Sequence, residues 1–451
     1  MRPVKVSKGY PFQIDAGPGG QVDTLENPDR LAFLPERIPY LNPRLTVAEG
    51  HAVSIGSALC EDKRHPEIRF LSPAGGTIEK IQYGPRRVIQ AIVIARDRLN
   101  ESSILFEPLP SAELERIGRP QLIERILTGG GWWVFRELPF RNLPRVQTNA
   151  PLIIVGLAAD EPFQAAPAVY LEGNEALLQY GLRVLERLCD RVVVFCKKND
   201  SAVQALARPW LTHLVDGDYP ASDPGTVLYR IKQSASENRA WFIDGQDLLH
   251  LARILSQGRF ATERIVAVGG RAAARRRHVR TRIGAPLAHI ANPDTIAPGA
   301  RWVVGGLMRG YASSPDGFLG LYEQSLSVLP EGGEAEFLAL FRPGYDKPTY
   351  SRTFLSALNR GALAYDCKLH GDHRACIACL HCAEICPVDI LVHMTYKAIL
   401  IEEVEEYLEH GLLDCVECGL CSFVCPSKIE LAETLKAAKA AYAKELGGPT
   451  A

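Results

Sequence analysis

Between Cys376 and Pro426 the chain reads CIACLHCAEICP and then, after an intervening segment, CVECGLCSFVCP, so eight of its twelve cysteines fall in one stretch. Each run has the spacing C-x2-C-x2-C-x3-C-P. Three thiols at three-residue intervals force a tight loop, and the fourth, four residues after the third, has already turned away. Pro387 and Pro426 then redirect the chain, because proline fixes φ and brings no N–H. Structural zinc normally takes two CxxC pairs set well apart, or Cys with His, and has little use for this pattern. Disulfides need an oxidising compartment, and the opening residues MRPVKVSKGYPF hold no apolar signal-peptide core. The expectation is a cytoplasmic protein whose thiols are free to bind metal.

The doubled spacing resembles that of two-cluster ferredoxins, in which each cluster takes three thiolates from one motif and the fourth from the other. The resemblance implies two [4Fe-4S] clusters. The expected ligands are Cys376, Cys379, Cys382 and Cys425 for one, and Cys415, Cys418, Cys421 and Cys386 for the other. Cys367, His370 and His373 precede the first motif and read as linker residues, since eight ligands are already assigned.

At 451 residues the chain is too long for a single core and suggests three or four domains. An apolar fraction of 47% and a charged fraction of 23% are those of a folded soluble protein, and a net charge of -1 gives no reason to expect nucleic acid. The best apolar run, Leu152 to Ala159, falls far short of the ~18 residues needed to span a bilayer. Any place at a membrane would have to come through partners.

Residues 1–110 alternate like strands between Gly and Pro punctuation. Cys60 to Asp97 (CEDKRHPEIRFLSPAGGTIEKIQYGPRRVIQAIVIARD) resembles the hammerhead hairpin of lipoyl- and biotinyl-type barrel-sandwich domains, in which a lysine at the tip carries the cofactor. Lys63 stands near that place, but Arg64 and His65 follow where a small residue is usual, so it reads as a solvent-facing lysine. GGGWWVFRELPF places Trp132, Trp133 and Phe135 in packing between domains. From about 150, strand runs (Leu152 to Leu157, Arg191 to Cys196, Trp241 to Ile243) alternate with helical spacings (Asn174 to Cys189, Gln246 to Gln257), which predicts a mainly parallel sheet. Its first loop, GLAADEPFQ, has neither G-x-G-x-x-G nor a Walker pattern, so no classical dinucleotide site is expected. Cys189 and Cys196 read as inert core thiols. Arg271, Arg275, Arg276, Arg277, His278, Arg280 and Arg282 are either a solvated hairpin or a dock for an acidic protein surface or for anionic lipid headgroups. Ile401, Val404, Leu408 and Leu412 predict one helix stripe between the cysteine motifs.

Taken together, DKRHPEIRFLSPAGGTIEKIQYGPRRVIQAIVI, GGWWVFRELPF, YPASDPGT, WFIDGQDLLHLARIL and RIVAVGGRAAARRRHVRTRIGAPL resemble the NqrA family of the Na+-translocating NADH:quinone oxidoreductases (Nqr) over residues 1 to about 350. The resemblance implies a multidomain α+β chain. Its parts are a β barrel-sandwich hybrid (1–110), a Rossmann-like α/β domain with its N-terminal connection (111–261), a β-grasp domain of the soluble-ligand-binding (SLBB) type (262–312), a linker (313–349) and a C-terminal α-helical ferredoxin domain (350–451). In that family the cysteine motifs are largely eroded. Here DCVECGLCSFVCPSKIEL instead resembles RnfC of the related Rnf complex, although the glycine-rich NADH and flavin loop of RnfC is not found.

These resemblances imply a peripheral electron-transfer subunit on the inner face of the cell membrane. Its partners would be membrane-embedded and flavin-bearing subunits of an Nqr/Rnf-like complex, and no complete active site is expected on this chain. The alternatives are the iron-sulfur module of a soluble oxidoreductase and an assembly scaffold with structural clusters.

Overall fold

The structure is a computed structural model that describes residues 1–332, 338, 341–350 and 354–446. Part of the linker expected at 313–349 therefore lies outside the described residues.

Two antiparallel sheets form the first domain. The larger runs in the order Arg30–Phe33, Ile89–Arg96, Gly76–Tyr83, Ala52–Val53, and the smaller has Ala58–Asp62 between Pro43–Leu45 and Arg69–Leu71. Their inward residues, among them Leu31, Leu59, Ile68, Ile92 and Ile94, are buried, and Phe33 stacks on Phe70 across the two sheets at 5.3 Å. Lys63 is exposed in the turn after Asp62, as its sequence context suggested.

The second sheet has the order Arg2–Lys5, His213–Asp216, Val192–Lys197, Ile153–Leu157, Trp241–Asp244, Arg136–Glu137, parallel except for the last strand. Every residue of Ile153–Leu157 is buried, which is why this strand reads as a continuous apolar run and not as an alternation. Helices Glu175–Leu188 and Gly245–Gln257 pack together on the sheet, and Trp132, Trp133 and Phe135 fill the seam with the barrel. Trp132 meets Trp241 edge-on at 5.7 Å.

The third sheet is mixed, with the order Tyr311–Ser313, Arg301–Val304, Ser325–Leu329, Glu263–Gly269, Arg277–Arg282, Val22–Thr24. Ser325–Leu329 lies within the stretch read as linker. It is buried at all five positions because strands flank it on both edges, so the sheet continues past 312. At Gly284 (φ +81°) this domain touches the barrel so closely that a Cβ would lie 2.3 Å from the Ala32 carbonyl oxygen. Two strands from the first 25 residues are lent to other domains, Arg2–Lys5 to the parallel sheet and Val22–Thr24 to the mixed one.

The basic cluster is largely neutralised from within. Arg271 pairs with Asp15, Arg277 with Asp23, Arg280 with Glu263 and Arg282 with Glu101, while His278 is buried against the Gly19 carbonyl. Arg275 and Arg276, in the turn before the strand, are what is left of the predicted dock as exposed charge. The expected stripe from Ile401 to Leu412 is also broken. Helices Val392–Leu400 and Val404–Glu409 are separate, Glu402 turns through φ 58°, and Ile401 is 66% exposed.

Arg264 is fully buried where the mixed sheet meets the parallel one, its guanidinium 2.8 Å from Asp247 on helix Gly245–Gln257 and bonded to the Leu321 carbonyl. Removing one member of such a pair strands the other charge in low dielectric. Arg264→Leu should therefore cost about 3–5 kcal/mol, read as a lower urea midpoint, whereas Arg264→Leu with Asp247→Leu should recover much of that loss.

Candidate iron-sulfur centres

The two motifs fold as near copies. Ala378 and Leu380 in the first, and Glu417 and Gly419 in the second, adopt positive φ at matching places, which winds each three-cysteine loop tightly. A single helical turn follows in both, His381–Glu384 and Leu420–Phe423, and the fourth cysteine and its proline then leave in a new direction. Helix Val392–Leu400 and the C-terminal helix Leu431–Glu445 pack across the pair, with Val392, Leu412, Leu420, Leu431 and Leu435 as core.

This turn-away exchanges the fourth cysteines. Cys376, Cys379, Cys382 and Cys425 line one small cavity with His393, Tyr396 and Ile429. Cys386, Cys415, Cys418 and Cys421 line a second with Val392, Val416 and Leu435. Among the described residues no group of three or more Cys, His, Asp or Glu is placed to hold a single metal ion. Each cavity is ringed by four thiols, the donor set that a [4Fe-4S] cubane takes.

Burial and crowding argue the same way. Desolvation pushes the Cys415 and Cys382 thiols up to about 11, and Cys418 and Cys421 are raised further, their neighbouring sulfurs adding to the effect. Crowded thiols, buried or half-buried, that repel one another as thiolates need positive charge between them. Backbone N–H groups already face the sulfurs, from Glu417 to Cys415, Leu420 to Cys418, and Val388 and Ile390 to Cys386. Such donors tune iron-sulfur clusters. The two cages differ in depth: Cys376 is exposed with Ile377 at 66%, while Cys386 and Cys418 are buried.

A charged knot, which no motif announces, holds the second cage against the rest of the chain. Arg141 donates to both carboxylate oxygens of Asp223 at 2.9 Å and to the Val416 carbonyl at 3.0 Å. Arg309, from the mixed sheet, binds Glu161 at 2.7 Å, Asp160 at 3.3 Å, and Asp223. The Tyr219 hydroxyl lies 2.8 Å from both Glu161 and the Cys418 carbonyl. Further out, Arg230 donates to the Pro387 carbonyl at 2.7 Å, and Lys8 pairs with Asp389 at 2.7 Å. Phe12 and Tyr10 pack on Phe423, at 5.2 and 5.0 Å. Of these, Asp223 leaves a trace in the sequence, as the helix cap of DPGT, where its carboxylate accepts from the Gly225 N–H.

The knot lies beside a cleft of ≈ 570 Å³ at the carboxyl ends of Ile153–Leu157 and Trp241–Asp244, where the strand order reverses and where open α/β sheets usually bind ligands. Burial raises Asp160 and Asp244 there to about 6. Carboxylates thus stand where a glycine loop would present N–H groups to phosphate.

Comparison with known proteins gives matches along the chain. Residues 4–97 match the family described as the NqrA N-terminal barrel-sandwich hybrid domain, 117–260 the NqrA second alpha/beta domain, and 375–429 the 4Fe-4S dicluster domain. The NqrA subunit of the Na(+)-translocating NADH-quinone reductase of Shewanella frigidimarina is 30% identical over 437 residues, covering 96% of this chain and 98% of that one. The corresponding protein of Histophilus somni is 29% identical, covering 98% and 100%. A crystal structure of NAD+-reducing [NiFe]-hydrogenase aligns with half of the chain at 13% identity and a TM-score of 0.30, too slight a likeness to identify the fold.

Asp223 gives the knot a pH signature. Burial would raise its carboxyl, but Arg141 and Arg309 hold it at about 2, below the ordinary 3.8. Its contribution is therefore present above pH ~4 and lost as pH falls through about 2. Asp223→Asn should lower stability by on the order of 2 kcal/mol at pH 7. The gap to wild type, followed by thermal melting, should narrow progressively below pH ~4.

Proposed function

Because the chain belongs to the NqrA family of the Na(+)-translocating NADH-quinone reductases, we propose that it serves such a membrane complex as a peripheral subunit that itself carries electrons. Cys376, Cys379, Cys382 and Cys425 would hold one [4Fe-4S] cluster, and Cys386, Cys415, Cys418 and Cys421 the other. The observation that carries this reading is the exchange of fourth cysteines between two thiol-lined cavities in one small domain.

Bound clusters would supply one-electron steps at closely spaced centres. The chain's own part is to hold both cages in a fixed place. Arg141 and Tyr219 grip the carbonyls of the second loop, Arg309 ties that grip to the mixed sheet, and Tyr10 and Phe12 pack on Phe423 in the helical turn between Cys421 and Cys425. The exposed edge at Cys376 and Ile377 is the natural exit toward another protein. No helix among the described residues is long and apolar enough to cross a membrane, so the reading assigns spanning and ion movement to membrane-embedded partners and two-electron chemistry to flavin-bearing ones. It puts the chain on the inner face of the cell membrane. The carboxylate-lined first loop of the parallel sheet favours hydride chemistry elsewhere, on a chain with a phosphate-binding loop.

In this reading the chain comprises a barrel-sandwich domain (1–110), a Rossmann-like domain (111–261), a β-grasp domain of SLBB type from 262 that includes the strand ending at Leu329, and a ferredoxin domain (350–451) like that of RnfC.

Protein purified without oxygen should contain about eight iron and eight sulfide per chain and give two reducible [4Fe-4S] signals by EPR. Cys418→Ala should remove one signal and leave the other while copurifying subunits are retained. Zinc in place of iron would overturn the proposal, and so would a protein that copurifies only with soluble flavoproteins.

A further inference from the structure

The C-terminal helix carries lysines at 436, 439 and 444, and two of them face solvent as an Ala-Lys-Glu helix leads one to expect. Lys439 does not. It is 1% exposed, with its ammonium 2.8 Å from the Cys415 carbonyl and 3.0 Å from Glu417. Burying an ammonium is costly unless it is paired and hydrogen-bonded, and here both of its acceptors belong to the CVEC loop. In the first motif, CIAC, the position of Glu417 is held by Ala378, and that loop lies at the surface with Cys376 exposed. Beside the knot of Arg141, Arg309 and Tyr219, the second cage thus carries an ion pair that the first cannot form.

That difference has a redox consequence. A cubane held by four thiolates is anionic, and reduction adds one more negative charge. A cation fixed close by in a medium of low dielectric stabilises the reduced state more than the oxidised one. We propose that Lys439 raises the reduction potential of the cluster held by Cys386, Cys415, Cys418 and Cys421, with Glu417 tempering it, and so sets that centre further from its neighbour. Lys439 acts through the loop and its charge, not by touching iron, and is in that sense a positioning residue. The inference rests on the two-cluster reading above.

The experiment is a reductive titration of the anaerobically purified full chain, followed by EPR, with iron and sulfide measured on every sample. In Lys439→Met the reduction equilibrium of one cluster should shift about tenfold or more toward the oxidised form, ~59 mV for one electron, while the other stays within about twofold. The signal that moves should be the one missing from Cys418→Ala. Glu417→Gln should move the same signal in the opposite direction, and Lys439→Arg should leave it near wild type. A merely structural lysine would produce no such pair of opposite shifts.

If Lys439→Met fails to hold the cluster, the Glu417→Gln shift decides the matter. Unchanged potentials in Glu417→Gln, or shifts of the same sign in both variants, overturn the inference while leaving the relay intact. A wild-type chain without clusters overturns the relay reading and this inference with it.

Discussion

The fold depends on a few buried charges that have nowhere to go but to each other. Asp223 and Arg309 are the centre of this arrangement: one carboxylate receives two guanidiniums from different parts of the chain, and one guanidinium reaches three carboxylates. Asp223 stays ionised at that depth only because the guanidiniums face it, so each group fixes the position of the others. What they fix is the loop from Cys415 to Gly419, gripped at three of its carbonyls from three directions, by Lys439, Arg141 and Tyr219. Apolar packing gathers the small C-terminal domain, but charge pairing sets where that domain sits on its neighbours.

This division of labour explains what the sequence could disclose. Periodicity located the strands Ile153–Leu157, Val192–Lys197 and Trp241–Asp244 and the helices Glu175–Leu188 and Gly245–Gln257 to within a residue or two, because burial imposes a local pattern, but it missed the shorter helices Ser201–Ala207 and Pro224–Ile231. Spacing likewise announced the two thiol quartets, since both loop and exchange are consequences of short-range geometry. Pairings between distant residues leave no such mark. Arg141 and Val416, or Tyr219 and Glu161, look like any surface residues until the chain is folded. Lys439 was the most concealed, lying in a helix whose composition reads as solvent-facing. The basic cluster misleads for a related reason: its arginines look like a dock only while Asp15, Asp23, Glu101 and Glu263 are far away in sequence.

The dicluster region is joined to parts of the chain that match NqrA. The chain's barrel and its parallel sheet match domains described for NqrA, and its last part matches a dicluster domain. The seam between these parts is no loose linker. Lys8 and Tyr10 from the first residues, Arg230 and Tyr219 from the middle and Arg309 from the mixed sheet all end on the cysteine domain or its supports. A domain held by residues from every other part of the chain is integrated into the fold, whatever its history.

The loan of Arg2–Lys5 and Val22–Thr24 to two other sheets bears on how such a chain is made. During synthesis the barrel strands from Arg30 to Arg96 can find one another early, but the two segments before them have partners only at residues 213–216 and 278–280. These two segments must stay unpaired on the ribosome until residues 213–216 and 278–280 have been translated, and they lock in only when those sheets exist. Contacts so remote in sequence close slowly and leave strand edges open in the meantime. Arg2–Lys5 and Val22–Thr24 thus act as a latch between domains, closed well after it is synthesised.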